Sequence, residues 1–219
     1  SSLINDLSEV EGISWIRLLY VRPDGVTPEL ADAMANPKVV PYVDLPIEHG
    51  SDRILRLMGR PGVGQIRKAL GLLRKSVPGL YLRTTVIAGF PGETEEDVEE
   101  TLNFLSEIGA HRVGAFPYSR EEGTPAYRLP GIVPEEVGVR RAGLALAKKK
   151  SREMIGTTIP VLLTGPSTRK GFWLGRGPHQ APEVDGETYV KVGDPTPLPG
   201  QLVAAKITEG AVLNLFATV

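Results

Sequence analysis

Several stretches of the 219-residue sequence hold side chains of the kinds that do chemistry. The run DLPIEHGS at 44–51 places Asp44, Glu48 and His49 close together. Carboxylates and imidazole bind divalent ions, so a metal-dependent lyase using these three is one reading. A polar loop leading into a helix cap is the other, and it is favoured because no second metal-like cluster supports an ion. The run GFPGE at 89–93 is rich in glycine, which permits positive φ and lets a ligand approach the backbone closely. It lacks the Lys-Ser/Thr pair of a Walker loop and is not GxGxxG. As a bare GxxG it is a weak signal, and a plain strand-to-helix turn is at least as good a reading as a ligand corner. In FPYSREE at 116–122, Phe116 and Tyr118 have the spacing to flank a planar ring, although paired strand aromatics more often fill a core. Arg140, Arg141, Lys148, Lys149, Lys150 and Arg152 form a basic run that reads first as a solvated helix face. Arg169, Lys170, Arg176 and His179 are locally basic, but Glu183, Asp185 and Glu187 follow them. His111 begins a strand-like run.

Composition removes whole classes of chemistry. The sequence contains no cysteine. That excludes disulfides, thiolate zinc sites and cysteine-held iron–sulfur clusters on this chain. The net charge of -1 argues against wholesale electrostatic binding of nucleic acid, and leaves local contacts open. No apolar run reaches the ~18 residues that span a bilayer and nothing resembles a signal peptide, so a cytoplasmic protein without a membrane partner is expected.

The elements that must position these residues alternate between strand and helix up to about residue 155. Strands are expected at 15–21, 39–45, 80–88 and 112–119. Pro41 strains the second of these. Thr27 caps a short helix with Pro28 at its first position, and Ser51-Asp52 caps another that carries Ile54, Leu55 and Met58. A helix over 65–75 buries Ile66, Ala69, Leu70 and Leu73. Thr94 caps a helix whose first turn holds Glu95, Glu96 and Asp97, as the helix dipole favours. Val98, Leu102, Leu105 and Ile108 form its buried stripe. A long helix is expected over 134–155. Such alternation implies a parallel sheet covered by helices, with ligands at the carboxyl ends of its strands. From 157 onward the pattern changes to short strands at 159–164, 172–174, 188–192, 202–208 and 212–218, with Asp185-Gly186 as a hairpin candidate. Five such strands suggest a small OB-like barrel. The expected organisation is an α/β domain over 1–156 and an all-β domain over 157–219.

The runs PYVDLPIEHGSDRILRLMGRPG, LRTTVIAGFPGETEEDVEETLNFL, RVGAFPYSREEGTPA and APEVDG, in this order, resemble the radical-SAM methylthiotransferases along nearly the whole chain. The resemblance implies a partial parallel (βα) barrel followed by an OB-like TRAM barrel. Within the family, the histidine of EHGS, the VGAFPYSREEGTPA run and APEVDG look more like the subgroup that methylthiolates an aspartate of a small-subunit ribosomal protein than like the subgroup that modifies a tRNA adenosine. The implied cofactors are S-adenosylmethionine and two [4Fe-4S] clusters. One cluster cleaves S-adenosylmethionine to a 5′-deoxyadenosyl radical that takes hydrogen from an unactivated carbon, and the second participates in sulfur delivery. The implied S-adenosylmethionine contacts are Glu48 at the ribose, Arg60 at the methionine carboxylate, Thr85 as a further polar contact, Gly89 and Phe90 beneath the adenine, and Phe116 with Tyr118 along its border. The implied partners are a ribosomal protein or the ribosome through the TRAM domain, with possible RNA contact.

The sequence also departs from the family. The C-x3-C-x2-C loop, and an N-terminal domain with three further cysteines, would lie before the matched region. The chain is thus expected to be the C-terminal part of such an enzyme, with four strands of a six-strand partial barrel, inactive alone and with its first strand edge prone to pairing. Glu48 stands where glutamine is usual. A rival of another class is a ribosome- or RNA-binding module without chemistry.

Overall fold

The computed structural model describes residues 1–146, 154–193, 197–210 and 214–219. The chain divides into two compact units, Ser1–Lys149 and Lys150–Val219.

The first unit is built on a four-stranded parallel sheet in the order β1-β2-β3-β4. Its strands are β1 (Ile16–Leu18), β2 (Val39–Asp44), β3 (Tyr81–Ala88) and β4 (Arg112–Pro117). Its helices are α1 (Ser2–Glu9), α2 (Pro28–Met34), α3 (Asp52–Leu57), α4 (Val63–Ser76), α5 (Glu95–Glu107) and α6 (Glu135–Leu146). Alternate residues of a strand face opposite sides, and β3 shows the consequence. Leu82, Thr84, Val86 and Ala88 are buried, whereas Tyr81, Arg83, Thr85 and Ile87 are half-buried. The apolar side joins one core with Ile66, Leu70 and Leu73 of α4 and Phe104 and Leu105 of α5. The other side is polar. Parallel register sets Asp44 beside Arg83, and Arg83, Thr85 and Ile87 beside Arg112, Gly114 and Phe116. Arg83 Nη1 donates to Asp44 Oδ1 at 3.0 Å, and the Arg17 guanidinium lies 4.5 Å from the centre of the Tyr42 ring.

Two helix starts follow the expected chemistry. Thr27 Oγ1 accepts the Leu30 amide with Pro28 at the first position. Thr94 and Asp97 form a reciprocal capping box at α5. Ser51 differs. It sits at the N-cap of α3, but its hydroxyl donates to Asp97 Oδ1 at 2.8 Å and makes no cap hydrogen bond. Asp52 caps at a distance, accepting the Val63 amide that opens α4 at 2.8 Å. Helix α1 was not expected; it buries Ile4 and Ser8, one turn apart. β2 runs through Pro41 without interruption.

The second unit is a closed barrel in the order β5-β6-β7-β9-β8. Its strands are β5 (Thr158–Pro166), β6 (Phe172–Arg176), β7 (Thr188–Lys191), β8 (Leu202–Gly210) and β9 (Leu215–Thr218). Val161, Leu163, Val190, Ala205, Ile207, Leu215 and Ala217 fill its interior. Asp185-Gly186 is not a two-residue hairpin. It lies in the long connection from β6 to β7, where Asp185 Oδ2 accepts the Ala181 amide at 3.0 Å. Lys148, Lys149, Lys150 and Arg152 of the basic run, and Val212 and Leu213 of the last expected strand, lie outside the described residues.

Candidate functional site

The carboxyl ends of β2, β3 and β4 gather two carboxylates with different surroundings. The first is Glu48. Its backbone bridges to Val86, donating to the Thr85 carbonyl at 3.0 Å and accepting the Ile87 amide at 2.8 Å. It does so at φ +66, a left-handed conformation that costs a non-glycine residue about 1 kcal/mol. Its side chain is 13% exposed and Oε1 lies 3.2 Å from Arg60 Nη2. Burial pushes the Glu48 carboxyl upward, partly offset by Arg60 and by Arg22.

The second carboxylate is Glu93, at the end of GFPGE. Its Oε2 accepts the Gly89 amide at 2.8 Å and the Phe90 amide at 3.4 Å. Arg141 Nη1 donates to Oε1 at 2.9 Å, and His49 Nε2 lies 3.4 Å from Oε2. His49 Nδ1 accepts the Ser51 amide at 3.0 Å, which leaves Nε2 to carry a hydrogen toward Glu93. Arg141 also reaches Glu95 at 2.7 Å. The other corner amides are taken as well: Gly92 donates to the Gly131 carbonyl and Glu93 to the Phe90 carbonyl. The corner is saturated by its own chain. Gly89, at φ +78, is also required by packing, because a Cβ there would lie 2.8 Å from Gly138 Cα of α6.

Behind the corner stands Asp97. Burial works to raise its carboxyl, but hydrogen bonds from Arg53, from the Thr94 amide and hydroxyl, and from Ser51 outweigh burial and hold it far below the usual range. Arg53 Nη2 contacts Asp97 Oδ2 and also donates to the Gly92 carbonyl at 2.8 Å.

On the face that carries Thr85 and Phe116, β4 has a glycine, Gly114, paired with Thr85. A Cβ at that position would sit 3.3 Å from Thr85 Oγ1 and 3.6 Å from the Phe116 ring. Phe116 is 57% exposed. Phe90 and Tyr118 are elsewhere engaged, edge to face with each other at 5.1 Å, and Phe90 is buried.

Residues 3–105 match the Radical SAM superfamily and residues 155–219 match the TRAM domain. The chain is 46% identical over 215 residues to the ribosomal protein uS12 methylthiotransferase RimO of Moorella thermoacetica, covering 94% of this chain and 48% of that protein. The same enzyme of Desulforudis audaxviator is 42% identical along the whole of this chain and is covered to 50%. The chain belongs to the radical-SAM methylthiotransferase family. It spans about half the length of the curated relatives it matches. The fold is like that of coproporphyrinogen III oxidase from Escherichia coli, a radical SAM enzyme, with a TM-score of 0.54 at 15% identity over 67% of this chain and 35% of that one.

Of the residues that the methylthiotransferase resemblance implies, Glu48 and Arg60 meet as an ion pair, and Thr85 and Phe116 both border the position a Cβ of Gly114 would take. Gly89 and Phe90 sit in the saturated corner and Tyr118 packs on Phe90. Asp44, Glu48 and His49 do not converge as a metal site would require. They turn to Arg83, Arg60 and Glu93 respectively, and no group of three potential ligands occurs among the described residues. Arg141 is not on a solvated face; it is buried at 6% exposure. Glu93, Arg141 and Asp97 escaped the sequence reading as a set. Glu93 lies within the GFPGE motif, but a partner 48 positions away on α6 leaves no local signal.

Proposed function

We propose that this chain forms part of a radical-SAM methylthiotransferase that modifies an aspartate of ribosomal protein uS12. What carries the proposal is the order of a radical SAM segment and a TRAM domain along one chain, together with 42–46% identity to uS12 methylthiotransferases across it. The proposed division is 1–156 for the barrel part and 157–219 for the TRAM part, and the proposed compartment is the cytoplasm. No helix among the described residues is long and apolar enough to cross a membrane.

The residues fit S-adenosylmethionine in kind. Phe116 offers an open ring for the adenine beside Thr85. Glu48 accepts ribose hydroxyls and Arg60 forms charge-assisted bonds to a carboxylate. Gly89, Phe90 and Tyr118 support this wall from behind. When bound, S-adenosylmethionine supplies the hydrogen-abstracting radical chemistry and the methyl group. The chain's own task is to bind, orient and shield it. The residues do not fit an iron–sulfur cluster, because there is no cysteine to ligate iron. The chain alone is inactive in this reading.

Support for an RNA contact comes from the barrel. Tyr189 stacks on Phe216 at 5.2 Å, and the Arg169 guanidinium lies 4.8 Å from the centres of the Phe172 and Phe216 rings. Aromatic and cationic groups of this kind suit single-stranded bases.

The test joins this chain to the remaining half of the Moorella thermoacetica relative and assays the hybrid by mass spectrometry. A methylthio group on the uS12 aspartate is expected, and its loss with Arg60→Ala. A methylthio group on tRNA adenosine alone would refute the substrate assignment.

A further inference from the structure

The buried carboxylate of Glu93 has a place that neither cofactor binding nor capping requires. It is fully enclosed, and four donors from three separate elements converge on it: the Gly89 and Phe90 amides after β3, His49 after β2, and Arg141 on α6. Such a cradle of amides and a guanidinium is an anion site, and here the anion is a side chain of the same chain. Two of its Oε2 attachments, the Gly89 amide and His49, flank the Glu48–Val86 bridge. Gly89 lies two residues beyond Ile87, whose amide donates to the Glu48 carbonyl, and His49 is the next residue after Glu48. The left-handed backbone of Glu48 is thereby clamped from the strand side and from the loop side at once. Local strain of this kind persists only where the surroundings over-determine it.

We propose that Glu93 is a positioning residue whose enclosed carboxylate holds the Glu48 backbone in its left-handed bridge and so aims the Glu48–Arg60 pair. GFPGE then acts on a ligand at one remove, through Glu48, and not through its own amides. This holds whichever ligand the wall receives, so it stands or falls separately from the proposed cofactor.

The experiment uses the chain itself, labelled for nuclear magnetic resonance. In Glu93→Ala, the Ile87 and Glu48 amides are expected to exchange with solvent about tenfold faster or more, while those of Leu82 and Leu163 stay within about twofold of the parent. The Glu48 carboxyl is expected to titrate closer to the ordinary glutamate range, because its enclosure loosens. Millimolar formate, small enough to fill the vacated cradle, restores both. Parental exchange at Ile87 and Glu48, equal acceleration of all amides, or no recovery with formate overturns the proposal. If the alanine variant does not fold, Glu93→Gln decides. Its one carbonyl oxygen serves either the two amides or Arg141 but not both, so the clamp is weakened. A Glu48 titration unchanged in that variant overturns the proposal equally.

Discussion

Glu48 and Glu93 stand on two sides of the same strand ends, and burial has opposite meanings for them. Glu93 is enclosed with a donor for each lone pair that matters. Glu48 is nearly as well covered but has one arginine at 3.2 Å and a carboxyl that burial pushes upward. The desolvation of a carboxylate is tolerated when hydrogen bonds replace water and is held in reserve when they do not. The first arrangement is a strut. The second is a group with unused acceptor capacity, as a ligand-facing residue has.

Substitutions sharpen or break this contrast. The largest effect is expected from Arg141→Ala, which leaves the Glu93 charge buried and uncompensated. A loss of about 3 kcal/mol in urea unfolding is expected, and a loss below about 1 kcal/mol would end the description of Glu93 as a paired internal anion. Gly89→Ala comes next. The added methyl meets Gly138 and the residue must hold φ +78. About 2 kcal/mol is expected, measured by thermal unfolding; a neutral result would mean that α6 does not depend on this approach. Thr94→Ala removes one half of the capping box and should cost about 1 kcal/mol.

The smallest effect has the opposite sign. Glu48→Gln removes a carboxylate whose folded pKa is raised. A raised carboxyl binds more protons in the folded state, so its contribution is intact below the ordinary glutamate range and is lost as pH rises through the raised value. The variant should therefore match the parent in acid and be more stable by up to about 1 kcal/mol at neutral pH. A variant less stable at pH 7 than the parent would show that Arg60 outweighs burial. Asp97 provides the contrast in acid. Its carboxyl is lowered, so its stabilisation is present above the unfolded value of about 3.9 and is lost as pH falls below it. Asp97→Asn should lower stability at neutral pH and flatten the acid limb of the unfolding curve.

Much of the scaffold was legible in advance, for local reasons. The α4 stripe of Ile66, Ala69, Leu70 and Leu73 is buried as its spacing demands, and Thr27 and Thr94 cap as their types demand. Ser51 has the right type and position to cap α3, yet its hydroxyl goes to Asp97 on another element. The aspartate offers a charged acceptor, and charge-assisted bonds are the stronger ones. Arg141 was misread for a related reason. A basic run on a helix is usually solvated, but Gly138 lets α6 approach the corner closely and brings Arg141 in with it. Helix α1 was missed because it offers little beyond Ile4 and Ser8 as an inward face.

By itself, the sequence determined the alternation of elements, the change to a small barrel, the absence of thiolate ligands and the family. Each of these follows from periodicity, turn chemistry, composition or order along the chain, which need no knowledge of distant contacts. The tertiary structure alone decided what fills the GFPGE corner. A glycine-rich turn followed by glutamate is compatible with an open ligand cradle or with a closed internal knot. The choice depends on whether a cation arrives from elsewhere to neutralise the buried charge. Arg141 arrives from α6, and the cradle is closed.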